Sequence, residues 1–306
     1  MNQPATQDRY PTAAACLGAG GGWVYTRFFG LKLEPFSLTP DPAFYFNHAS
    51  TQIAFNTLLF ATRIGEGFIK VVGEVGTGKT LLCRKYLRAL EREDYITAYI
   101  PNPYLEPMTL LLAIADELGV DYPDNISQHR LLKLLTEFLI NTYARQQKAV
   151  IVILDEAHAL PCETLEALRL LSNLETSRRK LLQLVLFGQP ELDNRLGESS
   201  IRQLKQRIAF AENLQPLTAA EVEAYLNHRL RVAGNRDGNL FSGKAVKALH
   251  KASGGIPRLV NILAHKAMMV AFGEGTTTID ARHIKLAAAD TEVTRESTRN
   301  RGILQL

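Results

Sequence analysis

The sequence is poor in the residue types that mark the narrower protein classes. It has three cysteines among 306 residues (Cys16, Cys83 and Cys162). None forms a Cys-x-x-Cys pair, so neither a disulfide framework nor a zinc site is expected, and a reducing cytoplasm suits the chain. The seven histidines show no metal-ligand spacing. No apolar run approaches the roughly 20 residues of a membrane-spanning helix. The longest, such as AVIVIL at 149–154, have the length of buried core elements. The first twelve residues lack the apolar centre of an export signal, so Ala14-Ala15-Cys16 is not read as a lipoprotein cleavage site. Residues 1–23, with GAGGG near their end, have the composition of a flexible leader, and translation is expected to start at Val24.

A strong excess of charge of either sign is missing as well. Residues 1–215 carry 22 Lys and Arg against 23 Asp and Glu, residues 216–290 carry 10 against 6, and residues 291–306 carry 3 against 2. The mild basic excess of the C-terminal part suits contact with nucleic acid or acidic partners, and it equally suits an ordinary solvated surface.

One octapeptide is rich in meaning. GEVGTGKT at 73–80 fits the phosphate-binding pattern GxxxxGK[ST] without mismatch. A short buried strand is expected before it at 67–72 (GFIKVV), and a helix after it at 81–93. Backbone N–H groups can wrap a polyphosphate only where side chains are absent, which Gly73, Gly76 and Gly78 provide. The helix aims its positive end at the phosphates. The predicted nucleotide site is therefore Gly73, Glu74, Val75, Gly76, Thr77, Gly78, Lys79, Thr80 and Leu81. In it Lys79 meets the β and γ phosphates and Thr80 ligates Mg²⁺.

A second element completes the chemistry. VIVILDEAH at 150–158 ends a buried strand on Asp155, expected to hold Mg²⁺, followed by Glu156, expected to activate water. His158 is expected to pack or to make a local hydrogen bond, since the remaining helicase motifs are missing. Gln189 follows the run at 181–187. It is read either as a contact to the γ phosphate or as a turn residue that opens a helix at Pro190. Asn102 is placed to restrain Glu156. Arg258 opens a helix and is expected to reach the phosphates. Arg207, with Arg202 as runner-up, is expected to face a neighbouring subunit as an arginine finger.

Apolar runs at 96–100, 149–154, 181–187 and 208–214 join the first strand, with helical patterns between them at 110–118, 131–144 and 164–174. This predicts an α/β fold, a five-stranded parallel sheet with helices on both faces. From Pro216 four helical stretches follow, at 219–232, 243–252, 256–272 and 281–289. The expected domains are a base at 24–215, a small all-helical lid at 216–290 and a tail at 291–306. Residues 28–46, rich in aromatics and prolines, are expected to lie extended on a surface.

These residues together resemble an AAA+ P-loop ATPase. The segments FFGLKLEPFSLTPDP, GEGFIKVVGEVGTGKT, LDEAHALPCETLEALRLLSNLET, LLQLVLFGQPELD and SGGIPRLVNILAHKA closely resemble the secretion ATPases of the ExeA/GspA type, and within them the MSHA pilus biogenesis ATPases (MshM). The resemblance covers residues 24–292. It implies ATP hydrolysis with Mg²⁺, nucleotide-dependent homo-oligomers, and partners in a type IV pilus or type II secretion apparatus. The implied location is cytoplasmic, peripheral at the inner membrane. Two alternatives remain: a DNA-associated ATPase of the transposition-helper kind, which shares the base and lid, and an ATPase that regulates envelope polysaccharide export, which is related. Nucleic acid is not the favoured partner, and the missing NKxD motif argues against guanine.

Overall fold

The computed structural model describes residues 24–39, 41–93, 95–101, 105–171, 180–198, 201–235 and 240–291. The chain divides into two compact units: Ala49–Gln215, and the described residues up to His48 together with those from Pro216 onward.

The first unit is a parallel sheet of β1 (Phe68–Gly73), β2 (Ile96–Ile100), β3 (Val150–Leu154), β4 (Leu182–Gly188) and β5 (Ile208–Leu214) in the order β2-β3-β4-β1-β5. The strand runs read as uninterrupted apolar sequence because both faces are covered. Side chains alternate between faces along a strand. Ile69, Val71, Ile151, Ile153, Val185 and Phe187 enter one core, with the helices Ala49–Ile64 (α2, counting Val24–Phe28 as α1) and Lys79–Arg92 (α3). Phe68, Val150, Val152, Leu154, Leu184 and Leu186 enter the other. That second face is covered by Pro107–Leu118 (α4), Gln128–Gln146 (α5) and Cys162–Leu171 (α6), then by the short Glu191–Leu196 (α7) and Arg202–Arg207 (α8).

The second unit holds Ala219–Val232 (α9), Gly243–Ser253 (α10), Pro257–Gly273 (α11) and Ala281–Ala289 (α12). Thr218 and Glu221 form a capping box that starts α9, an arrangement worth about 1 kcal/mol. The aromatic segment expected to lie extended on a surface behaves otherwise. It begins as α1, forms a 3-10 turn at Pro42–Phe44 capped by Asp41, and buries Phe28, Phe29, Phe36 and Phe44 in the helical core beside Leu226, Leu263 and Met268. Residues 24–48 thus belong to the helical unit rather than to the base. Arg229 fastens them: buried on α9, it donates through Nε to the Pro35 carbonyl and at 3.4 Å to that of Ser37, with its guanidinium over the Phe44 ring. A surface helix has no use for a buried arginine; here its donors satisfy backbone carbonyls of a strand-less segment that would otherwise be buried unpaired.

Candidate functional site: the loop after β1

In a parallel sheet all strands point the same way, so the C-terminal ends of β1, β3 and β4 open on one edge. β4 lies between the other two, pairing Val72 with Gly188 and Leu154 with Leu186. The sheet order alone therefore sets Gln189 between the loop that leaves β1 and the acidic pair that leaves β3.

The loop curls at Gly76 and Gly78, whose φ angles of 84° and 99° suit glycine and strain any other residue. Thr77 folds back inside it, its hydroxyl donating to the Glu74 carbonyl at 2.8 Å. Gly78 caps α3 without any side-chain bond, so the first N–H groups of that helix face the loop unsatisfied by protein caps. Lys79 is buried, and its ammonium donates to the carbonyls of Gly73 at 2.7 Å and Glu74 at 3.0 Å. Burial pushes its pKa below the ordinary lysine value, opposed by the negative charges of Glu156, Asp155, Glu74 and Glu191. A cation shielded from water beside open N–H groups is suited to receive a polyphosphate.

Asp155 is 2% exposed. Burial raises its pKa, opposed by hydrogen bonds from the Glu156 backbone and from the Thr80 side chain. The Thr80 hydroxyl and the Asp155 carboxylate are thus neighbours. The Tyr99 hydroxyl reaches the other carboxylate oxygen at 3.4 Å, a partner that sequence reasoning missed. Its signal was position alone, one residue from the end of the strand beside β3. Among the described residues no three metal-binding His, Cys, Asp or Glu side chains cluster. Mg²⁺ bound with a nucleotide takes few protein ligands and completes its shell with phosphate oxygens and water, so one hydroxyl and one carboxylate fit it.

Glu156 has a left-handed backbone, φ 54°, a conformation that costs a non-glycine residue about 1 kcal/mol. Its carboxylate meets Gln189 Nε2 at 3.3 Å and His158 Nδ1 at 3.4 Å, while Gln189 Nε2 lies 2.9 Å from His158 Nε2. Gln189 is therefore at the acidic pair, and it also directly precedes Pro190, the N-cap of α7. His158, expected to pack or to make a local hydrogen bond, instead bonds to Gln189, 31 residues further along the chain.

The remaining expected residues lie on other elements. Arg207 is half-buried at the end of α8, with Nη1 3.5 Å from the Arg169 carbonyl, and Arg202 at the start of α8 is exposed. Arg258 is exposed in the first turn of α11, in the helical unit. Asn102 lies outside the described residues.

Residues 62–196 match the family model described as AAA domain. Over 273 residues the chain is 41% identical to General secretion pathway protein A of Aeromonas hydrophila, which covers 89% of this chain and 49% of that protein. The chain thus spans about half the length of this relative. In solved structures it resembles Cdc6p of Pyrobaculum aerophilum at TM-score 0.61 and 20% identity, over 80% of this chain and 67% of that one. It also resembles Drosophila ORC bound to DNA, at 0.62 and 19% over 98% and 73%, and Aeropyrum pernix ORC1 in complex with DNA, at 0.60 and 22% over 84% and 69%. Likeness at such identities shows the fold alone.

Proposed function

We propose that the chain binds ATP with Mg²⁺ in the loop at 73–80 and hydrolyses it, and that this hydrolysis supports a secretion or pilus-assembly apparatus. The observation that carries the first half is the meeting of Lys79, Thr80, Asp155 and Glu156 at one sheet edge. Thr80 and Asp155 would hold the metal, which when bound supplies charge neutralisation at the phosphates. Lys79 would leave the Gly73 and Glu74 carbonyls for phosphate oxygens, exchanging neutral acceptors for charged ones. Glu156 would orient water for in-line attack and accept its proton.

The 41% identity to General secretion pathway protein A supports the second half. The MSHA-type pilus is the finer reading within it, and it rests on the sequence resemblance alone. Partners would be inner-membrane components of such a machine; no helix among the described residues is long and apolar enough to cross a membrane. Arg207 would complete the site of a second copy in a homo-oligomer, and Arg258 would sense the nucleotide from the helical unit.

A DNA-associated role is the second reading, favoured by the 10 basic against 6 acidic residues at 216–290. Phosphate release from ATP by the purified chain, lost without Mg²⁺, tests the activity. Capture of interacting proteins by the Glu156→Gln form held in ATP tests the partner. Pilus or secretion components support the first reading, and DNA with transposition proteins the second.

A further inference from the structure

His158 and Gln189, 31 residues apart in sequence, touch each other twice and touch the Glu156 carboxylate together. The chemistry of the carboxylate decides how these bonds are polarised. An ionised carboxylate only accepts hydrogen bonds, so the end of the Gln189 amide that faces Glu156 Oε2 at 3.3 Å is its NH₂ group. The same nitrogen lies 2.9 Å from His158 Nε2. An amide NH₂ only donates, so that ring nitrogen is the acceptor and, in the neutral imidazole, the proton sits on Nδ1. Nδ1 in turn lies 3.4 Å from Glu156 Oε2, the side on which an acceptor stands. The Gln189 backbone N–H also lies 3.4 Å from Nδ1, a contact that needs a lone pair there and so cannot coexist with the first set. The shorter side-chain contact and the carboxylate's lack of donors decide between them. Reversing the amide would set its oxygen against the carboxylate.

We infer that His158 is a positioning residue for Gln189: it fixes which end of the amide faces Glu156, and the paired donors hold that glutamate until the nucleotide arrives. Resting on the proposed ATPase reading, the consequence is a handover. With ATP in the loop, Gln189 turns its NH₂ group from Glu156 to a γ-phosphate oxygen, and the freed Glu156 takes the attacking water. ADP lacks that oxygen and leaves the Gln189–Glu156 contact in place. The restraint on Glu156 thus comes from residues that follow the ends of β3 and β4.

Two experiments on the full chain test it. Histidine-¹⁵N NMR of the nucleotide-free protein reads the His158 tautomer, with the signal assigned by its loss in His158→Gln. A proton on Nδ1, redistributed in Gln189→Ala, is expected. A proton on Nε2 in the unmutated chain overturns the inference whether or not the chain hydrolyses ATP. Steady-state kinetics give the second arm. His158→Ala and Gln189→Ala should each lower kcat about tenfold with KM for ATP unchanged, and the double variant should fall no further than the worse single. His158→Gln, with an oxygen acceptor at about the reach of Nε2, should recover most of the rate. Losses that multiply to about a hundredfold in the double variant, as independent sites would give, overturn the link between the two residues. Absence of any phosphate release in the unmutated chain would defeat the proposed function, and the tautomer would still decide the inference about His158.

Discussion

The ammonium of Lys79 lies 2.7 Å from the carbonyl of Gly73, six residues before it, so the loop closes on its own lysine. The buried cation is solvated by backbone. Removing it should leave the fold and take away the charge that a nucleotide meets. Lys79→Ala is expected to abolish ATP binding. Glu156→Gln should keep it and lose hydrolysis, because the loop, Thr80 and Asp155 remain. Fluorescent-nucleotide titration with phosphate release separates the two, and equal loss of binding in both would contradict the division of roles.

Asp155 should be a site where function lowers stability. Its folded pKa lies above the ordinary carboxylate value, so the folded state binds the proton more tightly than the unfolded one. Stability is therefore lost as pH rises from below the unfolded pKa to above the folded one, and the penalty persists at pH 7. Asp155→Asn removes it. The variant should melt above the unmutated chain at neutral pH, by a margin that shrinks towards acid pH, while its metal-dependent nucleotide affinity falls. A lower melting temperature at pH 7 would refute the argument.

Arg229 should be the most costly polar residue to remove from the helical unit. It is 6% exposed and links α9 to the backbone at Pro35 and Ser37. Arg229→Ala leaves the buried Pro35 carbonyl and the half-buried Ser37 carbonyl without this donor, at about 3 kcal/mol. Arg229→Met keeps the stem and loses the donors, so a similar loss in both assigns the effect to the hydrogen bonds. Chemical denaturation measures it, and a change under about 0.5 kcal/mol, the level of an ordinary surface substitution, would contradict it.

Arg207 tests assembly. As a finger supplied to a second copy it would stabilise charge on the transferring phosphoryl group, an effect on the order of 10³ in rate. Arg207→Ala should bind ATP, hydrolyse poorly and melt as the unmutated chain does. A mixture of inactive Arg207→Ala and Lys79→Ala chains should recover activity at interfaces that join an intact Lys79 to an intact Arg207. Co-assembly without recovery would turn attention to Arg202.

What the sequence determined by itself is local. The loop at 73–80, the strand before it and the helix after it depend on residues within a few positions of one another: glycines that permit positive φ, an alternation fixed by the pleat, and a helix that needs no distant partner to begin. Asp155 and Glu156 were legible for the same reason, as the end of an apolar strand. The five strands and their order of appearance could be read, because strands buried on both faces leave uninterrupted apolar runs. Their lateral order could not, and it is that order that sets Gln189 beside Glu156. Only the tertiary structure brought Tyr99 to Asp155 and His158 to Gln189, since single polar residues carry no periodicity. Only it assigned residues 24–48 to the helical unit. Their aromatics and prolines specify that something must bury them, and which surface does so is decided by the packing of α9 and α11, more than 170 residues further along the chain.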